Sequence, residues 1–535
     1  MIALYCIALA ARLVPLTFSP LPYNIDGFPL ARISQQIATT GTWRIDEATV
    51  NSYDEKMPAF SLLWAAVSML AGWHPLAHAE LYIALIASLV VLPAYLIAVK
   101  ASGRRLVGFG AGLFVSLFGS FLFLTSVVTK ESLGLLVLPV VVLLFAGRAD
   151  RKKRALAVVF LVLLPFLHSL TVLLALGMVA SLVVLTHRRA WTRGRFSAKA
   201  LAVDAVTGPA LAGLALLYYE VVKLPFLTDL IAPAALVLFL ALVVLLTAAL
   251  MPLARPAHVR LGRPLGTPAT RLVLPPAVSA ALLVVNAQTS LFAGAGGTRP
   301  ALLWMLPGIV ALVVLAVVGY GLVRRTSNRA NDLVVSMLVS PVALILFGLF
   351  RGLDPVSLIV VYRSFDFIDY ALALLAALGF VAAWRALRSR PLAKVGLAGT
   401  FLAALLATTP MAWNTPAVFG VENVTTSDEF HALAVLASLG ARNVTTDQRL
   451  ADVGATWFGY TTDKSLPMTL RDRENVTGFD YAVVLERWTT VGAQIHPAPN
   501  IVLEPSVIDA FLRANRIAYV AGPLGDRIFV VQILG

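Results

Sequence analysis

Charged side chains are scarce in this chain, so the position of each one is informative. Asp26 lies a few residues beyond a first apolar run, in "NIDGFPLARISQQIATTGTW", and Arg32 follows it in the same stretch. A carboxylate there sits at a membrane interface, where a reactive lipid head group would also sit. It can take a proton from an acceptor or hold a divalent metal. Asp54 follows further on, beside Glu55 and Lys56. Lys130 and Glu131 fall in "TSVVTKESLGLL", between two apolar runs with almost no loop. Charge so close to hydrocarbon is expensive, so it either pairs or acts. His168 occupies a turn in "FLHSLTVLL", and Arg363 stands just outside an apolar run in "VVYRSFDFIDYALALLAALG". The planar Arg fork suits a phosphate or a carboxylate. Each position also has a plainer reading. The first loop would be a solvated loop with ordinary charges, and Lys130 and Glu131 a mutual surface pair. His168 would cap a helix, and Arg363 would snorkel or pair with Asp366 or Asp354.

The elements that must hold these residues are membrane helices. Of the 535 residues, 59% are hydrophobic and only 13% charged, and the mean hydropathy is +0.85. Repeated long apolar runs of this kind define an α-helical polytopic membrane protein and exclude the soluble globular classes. The opening "MIALYCIALAARLVPL" has a weak basic start and no small-residue cleavage site, and reads as a retained span rather than a signal peptide. Cys6 is the sole cysteine, which rules out an intrachain disulfide or a cysteine-based metal site.

The net charge of +14 does not indicate nucleic acid, because of how it is distributed. Basic residues gather at Lys100–Arg105, Arg148–Arg154, Arg188–Lys199, Arg255–Arg271, Arg324–Arg329 and Arg385–Lys394, with room for two crossings between neighbours. Placing every cluster in the cytoplasm satisfies the positive-inside rule and sends most acids of the membrane part to the other face. It predicts about thirteen spans, near 1–16, 79–99, 106–124, 133–147, 155–167, 170–186, 200–222, 230–251, 272–292, 301–323, 332–350, 367–384 and 395–413. The N-terminus would be cytoplasmic, with a long first outer loop over 17–78. That loop carries a second short amphipathic segment, "MPAFSLLWAAVSMLAGW".

The membrane part ends at 413. Over 414–535 acids outnumber bases, and the pattern predicts a small extracytoplasmic α/β domain. "TSDEFHALAVLASLG" and "EPSVIDAFLRANR" read as helices, "YAVVL" and "RIFVVQIL" as strands. Asn-Val-Thr sequons at Asn423, Asn443 and Asn475 all fall in this segment and none in the membrane part, as an exported, glycan-accepting domain would have.

"NIDGFPLARISQQIATTGTW" resembles the first-loop motif of the GT-C membrane glycosyltransferases, especially the catalytic subunit of oligosaccharyltransferases. Asp26, Arg32 and Gly41 match its Asp, its Arg and the Gly that ends its amphipathic helix. "TKES" occupies the second outer loop, where that family carries an acidic pair for its metal; only Glu131 matches an acid there. Arg363 stands where relatives place an Arg near the lipid phosphate. The external domain has "TWFGY", Thr456–Tyr460, where oligosaccharyltransferases have Trp-Trp-Asp-Tyr-Gly. The missing Asp makes the chain look like a divergent archaeal or bacterial GT-C enzyme of the cell envelope, similar to those that use polyprenyl-phosphate sugars.

The resemblance implies sugar transfer from a polyprenyl-(pyro)phosphate donor to a protein, lipid or glycan on the extracytoplasmic face. Asp26 would be base or metal ligand, with Glu131 its partner around Mg or Mn. Lys130 and Arg363 would hold the donor phosphate, while Arg32, His168 and Asp54 would position substrate or loop. With Lys130 beside Glu131, a metal-independent route is equally compatible, the Lys replacing the metal's charge. Membrane lipids are expected partners, and the acceptor is not specified. Two other classes fit the pattern: a non-catalytic GT-C-like scaffold, and a transporter or flippase of lipid-linked solute. The second should place polar groups at mid-membrane, but here the charges gather at one face.

Overall fold

The computed structural model describes residues 1–224, 232–251, 269–289, 299–325, 329–352, 354–495 and 498–534. Most of the basic cluster Arg255–Arg271 lies outside them, as do the last residues of the expected span 272–292. Among the described residues, eight helices are long and apolar enough to cross a membrane, from Ala79–Ser102 to Pro391–Trp413. A ninth candidate is the pair Arg105–Leu117 and Gly119–Ser126, bent by 65°. The expected segments near 1–16, 133–147 and 155–167 are also helical, as Ile2–Arg12, Lys130–Ala146 and Arg151–Leu167. All three are shorter than the ~20 residues that span hydrocarbon.

The bend falls at Phe118, whose extended backbone separates the two helices, and the next residue packs closely on another helix. A Cβ on Gly119 would overlap the carbonyl of Thr408, and the Gly119 amide donates to Thr408 Oγ1 at 3.0 Å. Glycine lets the two backbones touch there. The Ser169–Thr192 helix is enclosed over most of its length, whereas Ala198–Val221 and Pro233–Leu250 are largely uncovered. The bare side chains on these two, such as Val206, Leu217 and Leu245, suit lipid rather than water.

The first outer loop is structured. Its polar stretch forms the helix Gly27–Thr40, stopped by Gly41 at φ 70°, where the left-handed conformation costs a glycine nothing. The apolar stretch forms Ala59–Ala71, stopped in the same way by Gly72. The two loop helices pack through Ile33, Ile37 and Ala65.

The C-terminal segment builds a five-stranded sheet in the order β2-β1-β3-β7-β6, and a separate pair β4-β5. The strands are β1 Asn443–Thr445, β2 Thr461–Asp463, β3 Tyr481–Leu485, β4 Ala493–Ile495, β5 Ala498–Ile501, β6 Arg516–Ala521 and β7 Ile528–Gln532. β1 pairs in parallel with β2 and β3, and β7 runs antiparallel to β3 and β6. Both expected helices form, Ser427–Ser438 and Pro505–Ala514. The first opens on a capping box in which Thr426 and Glu429 satisfy each other's amides. The sheet's core does not stop at residue 414. Leu21, Phe28, Ala31 and Leu76 of the first loop share it with Leu433, Val483 and Trp488, and Phe28 stacks on Phe430 with ring centres 6.2 Å apart.

Candidate active site

Four stretches of chain meet in a cleft of about 320 Å³. Asp26, at the start of the first loop helix, stands at its edge with about half of its side chain exposed. Tyr53 and Asp54 enter from the same loop. Lys130 and Glu131 come from the first turn of the Lys130–Ala146 helix and Thr129 from its cap, where Thr129 Oγ1 accepts from Ser132 N–H. His168 and Ser169 come from the turn between two helices. Arg363 projects from the third turn of the helix Pro355–Ala386. Leu170, Leu173, Val356, Ile359 and Val360 give the cleft an apolar wall.

The plain pairings suggested by sequence neighbours do not form. Lys130 and Glu131 leave the helix start in different directions, since successive helical residues diverge by about 100°. Lys130 Nζ donates to Asp54 Oδ1 at 2.7 Å and lies 4.6 Å from the centre of the Tyr53 ring. Glu131 Oε2 accepts from the Arg363 guanidinium. Its other oxygen makes no hydrogen bond among the described residues, with His168 Nε2 3.8 Å away. Arg363 does not pair with Asp354, which caps its own helix at Ser357 N (2.8 Å). The Arg363 Nη2 instead lies 3.9 Å from Asp26 Oδ2, and its Nε donates to the Tyr362 hydroxyl at 3.2 Å. His168 precedes the Ser169 helix without capping it through its side chain; its Nδ1 is 3.0 Å from Thr171 Oγ1.

Both cations therefore keep donors to spare. Lys130 has three N–H groups and Asp54 takes one; Arg363 has five, and its outer nitrogen touches no carboxylate closely. Lys130 and Glu131 are nearly buried, so these charges act in a weak dielectric. Desolvation by burial in the cleft pushes the Asp26 carboxyl above its ordinary value, against the pull of Arg363.

Arg32 does not line the cleft. It lies on the far side of its helix, with its guanidinium 5.4 Å from the centre of the Trp457 ring, inside the "TWFGY" stretch. There it ties the first loop to the C-terminal segment. Tyr53, Thr129 and Ser169 line the cleft and carried no sequence signal beyond standing next to Asp54, Lys130 and His168. Of the sequons, Asn443 and Asn475 are exposed. Asn423 is buried, donating to Thr415 Oγ1 at 2.9 Å and accepting from Asn24.

A divalent metal finds no ready donor set in the cleft. Among the described residues no three His, Cys, Asp or Glu side chains come together as ligands. Each carboxylate of the cleft faces a cation of the protein: Asp54 Lys130, Glu131 Arg363, and Asp26 the outer edge of Arg363. As arranged, the residues do not fit a metal ion, which would have to displace those cations.

No family model and no curated protein matches the sequence. Solved structures do match. The archaeal oligosaccharyltransferase AglB from Archaeoglobus fulgidus, in complex with an inhibitory peptide and a dolichol-phosphate, superposes with a TM-score of 0.51 at 11% identity. The match covers 91% of this chain and 69% of AglB. ArnT from Cupriavidus metallidurans matches at a TM-score of 0.40 when bound to undecaprenyl phosphate, with 15% identity over 100% of this chain and 98% of its own. Its apo state gives 0.36 and 13%. At this identity the AglB likeness establishes the fold: a GT-C-like membrane domain with a small C-terminal sheet region.

Proposed function

We propose that this GT-C-fold membrane protein is a glycosyltransferase that moves a sugar from a polyprenyl-(pyro)phosphate donor to a protein, lipid or glycan acceptor on the extracytoplasmic face. One observation carries the reading. Two cations with unspent donors and a half-exposed carboxylate, drawn from three distant stretches of chain, open into one cleft with an apolar wall. AglB, which has the same fold, was solved with a dolichol-phosphate, a ligand of the chemistry this cleft suits. The basic clusters of the membrane part support a cytoplasmic N-terminus and an exported C-terminal domain.

In this reading the prenyl chain lies along Leu170, Leu173, Val356 and Ile359, and the phosphate meets the free N–H groups of Arg363 and Lys130. Asp26 takes the acceptor's proton as the acceptor heteroatom bonds to the anomeric carbon. The bond from that carbon to the phosphate oxygen breaks, and the electron pair leaves with the polyprenyl phosphate. Arg363 and Lys130 hold the charge that develops there. Glu131 and Asp54 position the two cations, and His168 lines the cleft beside Glu131. The route needs no metal, since the protein's own cations occupy the carboxylates.

The test is sugar transfer by the purified protein in liposomes, with a panel of polyprenyl-phosphate sugars and native membrane acceptors. Asp26→Asn should lower the rate about 10²–10⁴-fold, and a divalent-metal chelator should leave the wild type unchanged. Equal rates for Asp26→Asn and wild type would sink the assignment of the base, and loss of activity with the chelator would sink the metal-free route. A wild type that turns over no donor would favour the scaffold.

A further inference from the structure

A second cleft, of about 410 Å³, lies at the other end of two helices that form the active site. Helix Arg151–Leu167 ends at His168, and helix Ser169–Thr192 begins there. The second cleft is lined by Arg148, Arg154, His187, Arg195, Lys199 and Asp204. From Ser169 to His187 the helix rises about 27 Å, close to the thickness of the hydrocarbon layer. The two clefts therefore face opposite membrane surfaces.

This cleft has a built interior. Arg148 is 7% exposed and His187 8%. Asp204 Oδ2 accepts from Arg148 Nη2 at 2.5 Å and meets His187 Nε2 at 2.8 Å. That one carboxylate orients both groups and uses one nitrogen of each. Arg148 Nε is a buried donor with no hydrogen-bond partner among the described residues, an unmet demand for an acceptor. Arg195 and Lys199 make no ion pair among the described residues and stand exposed at the rim. The helix Ala198–Val221 begins at this cleft behind its cap Ser197, adding the positive end of its dipole. Positive charge thus exceeds the single carboxylate, and the buried Arg148 Nε lacks an acceptor.

We propose that this cleft binds a phosphate group, and that its source is the head group of an anionic membrane lipid. The rim favours a lipid. Trp191 is 68% exposed and meets Phe196 edge-on with ring centres 5.1 Å apart, an aromatic pair of the kind that settles at a membrane interface. Val203, which lines the cleft, is half-bare and offers apolar surface to acyl chains. A basic pocket between helices at a membrane surface is the setting in which phosphate head groups are held.

The experiment uses the full chain purified in detergent, with phosphatidylglycerol, phosphatidylcholine or inorganic phosphate added. Binding is read by native mass spectrometry and by thermal shift. Phosphatidylglycerol should remain bound and raise the melting temperature, and phosphatidylcholine should not. The charge reversal Arg195→Glu with Lys199→Glu, both at the exposed rim, should weaken phosphatidylglycerol at least about tenfold. Arg148→Gln, which removes the buried donors, should do the same. Equal retention of phosphatidylglycerol by wild type and both variants would overturn the site. Stabilisation by millimolar inorganic phosphate equal to that by the lipid would overturn the lipid as its source. Sugar transfer does not enter the readout, so this site and the proposed activity stand or fall separately.

Discussion

Glu131 is 3% exposed, and Arg363 is the group that compensates its charge. Removing one partner of such a pair costs more than removing both, because a buried charge is left without a counter-charge. Arg363→Ala should therefore destabilise the protein by about 3 kcal/mol, and adding Glu131→Gln should recover part of that loss. Thermal unfolding of the two single variants and the double variant gives the coupling directly; strictly additive effects would mean that the pair is not formed. Glu131→Gln alone leaves Arg363 without its anchor, so transfer should fall about tenfold or more through lost positioning. Lys130 is held independently, by Asp54 and Tyr53, so the two cations should respond to separate mutations.

The helix Lys130–Ala146 delivers two cleft residues from its first turn, so its starting point decides where they stand. Thr129 caps it, accepting from Ser132 N–H. Thr129→Ala should cost about 1 kcal/mol and lower transfer with it, and Thr129→Ser should restore both. Unchanged transfer in a measurably destabilised Thr129→Ala protein would show that the cap does not position Lys130 and Glu131. The first loop helix works at a longer reach. Its Arg32 rests on Trp457 while Asp26 begins the helix at the cleft. Arg32→Ala should slow transfer without altering donor binding, measured as kcat against KM.

Across the whole molecule, the C-terminal segment supports the loop that carries Asp26, since Phe28 and Ala31 belong to its core. A chain cut after residue 413 keeps every cleft residue, yet should lose transfer because the loop helix loses that support. Full activity in the truncated protein would disprove the coupling. The same segment has an acid-sensitive centre. Burial opposes ionisation of Glu429, but Arg449 and Arg487 win, and its carboxyl is held at about 2 against an ordinary 4.5. A carboxyl depressed in the folded state stabilises fully above its unfolded value, and that stability is lost as pH falls through the folded one. Stability should therefore drop between about pH 4.5 and 2, and Glu429→Gln should flatten the profile in that window. An unchanged slope in Glu429→Gln would assign the acid sensitivity to other groups.

Sequence alone determined the class of the molecule, because apolar runs and glycine stops act locally. Gly41 and Gly72 end the loop helices whatever surrounds them, and Thr426 with Glu429 starts a helix by its own hydrogen bonds. Asp26, Asp54, Lys130, Glu131, His168 and Arg363 were legible as candidates because charge beside hydrocarbon needs a reason. Their partners were not legible. Lys130 stands next to Glu131 in sequence and pairs with Asp54; Arg363 finds Glu131, far away in the chain, rather than Asp366 or Asp354. Pairing at a helix end depends on which way successive side chains diverge and on what the bundle brings opposite. The same holds for Arg32, whose place beside Asp26 in the motif did not tell that it turns away to Trp457. It holds for Asn423 too, whose burial follows from contacts with Asn24 and Thr415. Only the packed tertiary structure settles such distant meetings, since no local pattern encodes them.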